Sequence, residues 1–133
     1  MRYLLDTCTI SDFLRGNSNV VRRLVKTPHK FLAISTVTKH EIAYGLAKKP
    51  SLIDEYSPLL TELYRKSFDL VFDSAIAMVA GEIRHELIST GRTIDLPDIF
   101  IGATALHHDL TVVTSNTKHF NRIDSLKFEN WNR

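Results

Sequence analysis

Apolar residues fall along this chain in two alternating rhythms. Short runs, Tyr3-Leu4-Leu5, Phe31-Leu32-Ala33-Ile34, Phe68-Asp69-Leu70-Val71-Phe72 and Leu110-Thr111-Val112-Val113-Thr114, have the length and the aromatic or β-branched content of buried strands. Leu126 to Trp131 predicts a short final edge strand. Between the runs, apolar residues return every three or four positions, as on a helix packed by one face. Ile10, Phe13 and Leu14 follow a cap at Thr7 or Thr9 and stop at Gly16; Val21, Leu24 and Val25 mark a helix from about Asn19 to Lys26, ended before Pro28. Ile42, Gly45 and Leu46 follow Ser35-Thr36-Val37-Thr38 up to Pro50. In Ser51 to Lys66 the stripe is Leu59, Leu60, Leu63 and Tyr64, with Pro58 predicting a kink or a fresh start.

Two further helices close the pattern. Ile76, Val79, Ala80, Ile83 and Leu87 sit behind a cap at Asp73 or Ser74 and end at Gly91. The last helix starts near Leu96, with Asp95 as N-cap and Pro97 in the first turn, where a missing N–H costs nothing. Its inward residues, Ile99, Gly102, Ala103 and Leu106, are small enough to let it lie close to its neighbours. Strands alternating with helices predict a three-layer α/β architecture around a mainly parallel sheet of four to five strands. No linker, repeat or low-complexity tract interrupts residues 1–133, so one domain is expected.

Composition narrows the class. At 133 residues, with 44% hydrophobic and 24% charged, the chain can bury a core and is not expected to be disordered. Asp6 cuts the first apolar run short, and no stretch approaches the roughly 18 apolar residues of a membrane span, so a cytoplasmic protein with no membrane partner is expected. A single cysteine, Cys8, excludes an internal disulfide and a multi-cysteine zinc site. The net charge of +2 means that a nucleic-acid ligand would need a local basic patch.

Candidate chemistry lies in three isolated acids at the ends of apolar segments. Asp98 stands in the first turn of an otherwise apolar helix, where it complements the macrodipole; Glu41 stands three residues after Thr38, the spacing of a capping box; Asp6 ends the first strand. Parallel sheets gather ligands beyond the carboxyl ends of their strands, and α/β alternation brings these distant positions to that edge. Carboxylates brought together repel unless a cation neutralises them. Mg²⁺ or Mn²⁺, which take oxygen ligands and need no Cys or His set, suit such a group, and phosphodiester hydrolysis is the natural chemistry.

The chain resembles PIN-domain ribonucleases, specifically VapC-type toxins of bacterial toxin-antitoxin pairs. The resemblance rests on Leu4-Leu5-Asp6-Thr7, on Ser35 through Gly45 (Ser-Thr-Val-Thr-Lys-His-Glu-Ile-Ala-Tyr-Gly), on Gly91-Arg92 with Asp98 and Ala103-Thr104-Ala105, and on Val113 through Phe120 (Val-Thr-Ser-Asn-Thr-Lys-His-Phe). It implies a PIN-like fold and a metal-dependent endoribonuclease, with Asp6, Glu41 and Asp98 as metal-site acids and Asn116 as a further catalytic residue. At position 119, where many relatives carry an acid, this chain has a histidine, which bears on one metal against two. Asn116 can orient Asp6 or a metal-bound water, His119 can meet phosphate or stand as a plain surface residue, and Thr7 and Thr36 can steady the acids or cap helices.

Partners follow from the resemblance and from the residues. A structured cellular RNA, with tRNA a leading possibility, is the implied substrate, and some of Arg84, Arg92, Lys118 and Arg122, near the ends of the elements framing the site, are expected to meet its phosphates. A small VapB-like antitoxin is the implied inhibitor, operator DNA being bound through the complex. Leu52 to Tyr64, with Phe13, Leu14 and Tyr44, offers surplus apolar surface for that partner and for a homodimer. The alternatives are a PIN-like binding module without catalysis, a haloacid-dehalogenase-type phosphatase, whose second acid would stand where Cys8 is, and a response-regulator receiver domain.

Overall fold

The computed structural model describes residues 1–133. Five parallel strands form one sheet in the order β3-β2-β1-β4-β5. They are β1 (Tyr3–Leu5), β2 (Leu32–Ser35), β3 (Phe68–Leu70), β4 (Thr111–Val113) and β5 (Phe128–Glu129), flanked by α1 (Thr7–Leu14), α2 (Ser18–Lys26), α3 (Thr36–Lys48), α4 (Ile53–Lys66), α5 (Ser74–Ser89), α6 (Leu96–His108) and the short α7 (Thr117–Phe120). The three-layer α/β architecture and the parallel sheet are as the sequence predicts.

Strand periodicity sorts the core into two layers. Successive side chains of a strand face opposite sides of the sheet. Leu4, Ala33 and Val112 therefore point to one side and meet Ile76, Ala80 and Leu87 of α5 and Ile99, Ala103 and Ala105 of α6. Tyr3, Leu5, Leu32, Ile34 and Val113 point to the other, against Ile10 and Leu14 of α1, Leu24 of α2, Ile42 of α3 and Leu60 and Leu63 of α4. Trp131 seals this second layer edge-on to Tyr3, ring centroids 5.1 Å apart. Gly102 answers to close approach: a Cβ there would come within 2.6 Å of Ile123 Cδ1, so a larger residue would require the Ile123 side chain, between α7 and β5, to shift.

Several local expectations are corrected. Asp6 caps α1, not Thr7 or Thr9, by accepting from the Thr9 amide, and Ser35 caps α3 by accepting from Val37. Thr38 thus lies inside α3, and its spacing to Glu41 is not a capping box. Asp95 precedes α6 as expected but makes no capping hydrogen bond with its side chain. Pro58 lies within one continuous helix, α4, so it starts no new element. In α2 the buried residues are Val20 and Leu24, while Val25 is 80% exposed; Leu59 in α4 is likewise exposed. No helix is long and apolar enough to cross a membrane.

Candidate functional site

Strand order reverses between β1 and β4, and the carboxyl ends of these two strands open on one crevice. Asp6 leaves β1 there. Its amide donates to Val113 O (3.2 Å), and the Thr9 hydroxyl donates to the same carbonyl (2.8 Å), so β4 holds the turn that carries the acid. The carboxylate accepts from the Thr9 amide (2.9 Å), and Cys8 Sγ lies 3.1 Å from each oxygen. Only 3% of Asp6 is exposed. Burial pushes its carboxyl above the ordinary carboxylate range, opposed by the neighbouring Thr114 and by hydrogen bonds from the Thr9 amide and Cys8. An anion held in a dry place by partial charges alone is a receptor for a cation.

Glu41 reaches the crevice from the second turn of α3. The Thr7 hydroxyl, adjacent in sequence to Asp6, donates to Glu41 Oε1 at 2.7 Å and so ties α3 to the first turn of α1. Thr36 does not serve an acid. Its hydroxyl accepts from the Phe72 amide (3.2 Å) at the end of β3.

From the other side comes Asp98, in the first turn of α6. Its Oδ2 lies 3.2 Å from Asn116 Nδ2 and 2.8 Å from His119 Nδ1, and those two nitrogens are themselves 2.8 Å apart. Asn116 thus engages Asp98 and not Asp6, and His119 is no plain surface residue. Thr114, fully buried at the end of β4, joins the two halves: its hydroxyl oxygen accepts from the Asn116 amide (2.9 Å) and lies 3.4 Å from Cys8 Sγ. A polar thread therefore runs from Asp6 through Cys8, Thr114 and Asn116 to Asp98 and His119. The group tight enough to offer one ligand atom each within 4.8 Å is Asp95, Asp98 and His119, and Asp6 and Glu41 stand outside it. Asp95 was missed as a site residue in the sequence because its place before a helix reads as a cap. Its spacing of three from Asp98 was the available signal.

The PIN domain family matches residues 3–126. The chain belongs to that family. The tRNA(fMet)-specific endonuclease VapC of Shigella flexneri is 30% identical over 132 residues, covering 98% of each chain. Two crystal structures are similar in fold: DNA-bound VapBC from Salmonella typhimurium, with a TM-score of 0.89, 26% identity and coverage of 98% of both chains, and VapBC2 from Rickettsia felis bound to a promoter DNA fragment, with 0.87, 28% and coverage of 98% and 99%.

In this PIN domain Asp95, Asp98 and His119, with the Asn116 amide beside them, are oxygen and nitrogen donors of the kind a hard or borderline divalent ion takes, and no free thiolate is among them. Burial raises the Cys8 thiol above its ordinary range, and the neighbouring Asp6 charge adds to the effect, so the thiol stays protonated and donates. The four expected phosphate contacts divide. Arg92 pairs with Glu86 (3.6 Å) and Asp124 (3.5 Å), and Arg122 donates to Thr93 O (2.8 Å), so both strap the α5–α6 turn to the segment after α7. Arg84 and Lys118 are exposed and take part in no ion pair. Lys118 sits next to His119 at the crevice.

Proposed function

We propose that this PIN domain is a metal-dependent endoribonuclease toxin that hydrolyses phosphodiester bonds in cellular RNA, tRNA among the candidates, and is held in check in the cytoplasm by a small antitoxin. The observation that carries this reading is the buried, hydrogen-bonded acid Asp6 at the strand-order reversal, joined by one polar thread to Asp98. Asp6, Glu41 and Asp98 would hold Mg²⁺ or Mn²⁺. When bound, such an ion makes a water a better nucleophile and neutralises charge on the phosphate.

The chain's own residues prepare that event. Thr7 holds the Glu41 carboxylate, and the Thr9 amide and Cys8 hold Asp6, so the orientation of these oxygens is set before ion and phosphate arrive. Asn116 and His119 orient Asp98. Lys118 and Arg84 are free to neutralise flanking phosphates. The water oxygen adds to phosphorus as the bond from phosphorus to the leaving ribose oxygen breaks, a site carboxylate takes the proton of the water, and the leaving oxygen takes a proton from solvent to become a hydroxyl.

Support for the partner comes from the surface. A groove of about 300 Å³ is walled by Leu14, Ile42, Leu46, Leu52 and Tyr56 and has Thr7 and Glu41 in its lining. An amphipathic antitoxin helix fits such a groove, and an arginine from it would pair with the acids. A second hollow of about 370 Å³, formed by Phe13, Val25, Pro58, Leu59 and Leu63, offers exposed apolar surface for a homodimer. The DNA-bound complexes among the similar structures support operator binding through the toxin-antitoxin pair.

The decisive assay incubates the purified protein with total RNA and with a chromogenic phosphate monoester, with Mg²⁺, with Mn²⁺ and with EDTA. RNA cleavage that EDTA abolishes is expected. Ester cleavage alone would indicate a phosphatase, and no cleavage of either a binding module.

A further inference from the structure

The groove between α1 and α3 carries positive charge that the acids of the site do not explain. β1 and β2 are parallel, and α1 and α3 leave them directly, so both helices start at the same sheet edge and run in the same sense. The Thr7 hydroxyl on Glu41 ties them together beside the acids. Arg15 stands eight residues beyond Thr7 and Lys49 eight residues beyond Glu41, in each case about 12 Å along the helix at 1.5 Å per residue. Both cations line the groove, and Glu41 is the one acid in its lining.

Arg15 is held in place from behind. Its guanidinium donates to Asp12 Oδ1, the other oxygen of that carboxylate accepts from Asn132 Nδ2 (2.9 Å), and Asn132 Oδ1 accepts from Asn17 Nδ2 (2.7 Å). Asp12 is buried, and the hydrolysis makes no use of it. Asn132 and Asn17 would lock the C-terminal segment to α1 equally well around a neutral residue, so the charge at Asp12 answers to the guanidinium. It engages one edge of a planar fork with five N–H donors, which leaves donors to spare for a second anion. Lys49, at the exposed end of α3, is not among the lysines in ion pairs.

We propose that this groove is a phosphate track, in which Arg15, positioned by Asp12 and Asn132, and Lys49 bind backbone phosphates of a single-stranded RNA segment next to the bond cleaved at the acids. Charge complementarity selects the occupant. A polyanion can bring one phosphate up to a group of carboxylates only if its flanking phosphates meet cations, and the groove supplies two of them at its far end. The track rests on the nuclease reading and gives its substrate a direction: from α7, where Lys118 stands, over the acids and along α1 and α3. A partner helix in the same groove would inhibit by occupying the path of the RNA.

The test is a fluorescence anisotropy titration of a labelled, unstructured RNA oligonucleotide with the full chain at several salt concentrations, with Ca²⁺ in place of Mg²⁺ to limit turnover. Arg15→Ala and Lys49→Ala, at exposed positions, should each weaken binding by about tenfold and lower the salt slope by about one. Arg15→Lys should restore the slope. Arg22→Ala, which removes the same charge from α2 outside the groove, should leave affinity and slope unchanged. Asp12→Asn gives the sharper contrast: it makes the protein more positive, so a general field predicts tighter binding, whereas a positioned guanidinium predicts weaker binding. Gly45→Leu, where a Cβ meets nothing within 4 Å, fills the groove and should weaken binding with no change of charge. Thermal melts check folding, and should Asp12→Asn unfold, the exposed Arg15 and Lys49 variants decide. Unchanged affinity and slope in Arg15→Ala and Lys49→Ala, an equal fall in Arg22→Ala, tighter binding by folded Asp12→Asn, or unhindered binding by Gly45→Leu would overturn the track and leave the nuclease reading standing. A wild-type protein that neither binds nor cleaves RNA would overturn both.

Discussion

Thr114→Val removes one oxygen and keeps the shape of a fully buried side chain, so its effect isolates the hydrogen bonds that join the two halves of the site. The Asn116 amide loses its acceptor at 2.9 Å, and Cys8 Sγ, beside the buried Asp6, loses a polar contact at 3.4 Å. A buried donor left unpaired costs about 1–3 kcal/mol. Because the Asn116 amide is only partly buried, we expect a loss in the lower part of that range, about 1–2 kcal/mol without metal. At about 4 °C per kcal/mol for a chain of this size, that is a fall in Tm of roughly 4–8 °C. Urea melts at pH 7 in EDTA give the free energy directly. Thr114→Ser, which keeps the hydroxyl, should recover most of it. Combining Thr114→Val with Asp6→Asn should give a coupling of about 0.5–3 kcal/mol. A Thr114→Val protein within about 0.5 kcal/mol of wild type, or strictly additive with Asp6→Asn, would refute the idea that Thr114 carries the link.

Asp6→Asn keeps the α1 cap and removes a charge that burial disfavours. Because the folded carboxyl titrates above its ordinary value of 3.8, the folded state retains a proton that the unfolded state has released, and stability falls as pH rises between those two values. The variant should lack that slope and be more stable than wild type at pH 7 in EDTA; a wild-type curve rising through the same window would contradict this. Asp98→Asn should fold normally and lose metal-dependent RNA cleavage, as RNA gel assays beside a thermal melt would show. Phe120→Ala, at a fully buried anchor of α7, should cost about 3–5 kcal/mol and weaken Mn²⁺ binding, because α7 places Asn116 and His119. Lys118→Ala should lower the salt slope of RNA binding by about one, whereas Arg92→Ala, already committed to Glu86 and Asp124, should leave the slope unchanged in fluorescence anisotropy titrations.

Local pattern alone determined most of the framework. The short apolar and β-branched runs at Tyr3–Leu5 and Thr111–Val113 specify buried strands, and Pro97 in a first turn specifies where α6 begins, because both follow from backbone sterics and solvent exposure within a few residues. The candidate acids were legible for the same reason: a charge at the end of an apolar segment is costly unless something outside that segment uses it. Helix caps were less legible, since Asp6, Thr7 and Thr9 are all competent and only the docking of α1 on β4, through Thr9 and Val113, selects Asp6.

What no local pattern contains is which distant groups meet. The order β3-β2-β1-β4-β5 puts the ends of β1 and β4 side by side, and that packing makes Thr114 the bridge between Cys8 and Asn116. It also commits Arg92 and Arg122 to straps across the α5–α6 turn, which removes them from the phosphate contacts their charge suggested. His119 reads in the sequence as a departure at position 119; the seating of Phe120 in the core beneath α6 turns its ring onto Asp98. Side-chain chemistry is carried by the sequence, but the distances that decide what it does are set by long-range packing between segments far apart in the chain.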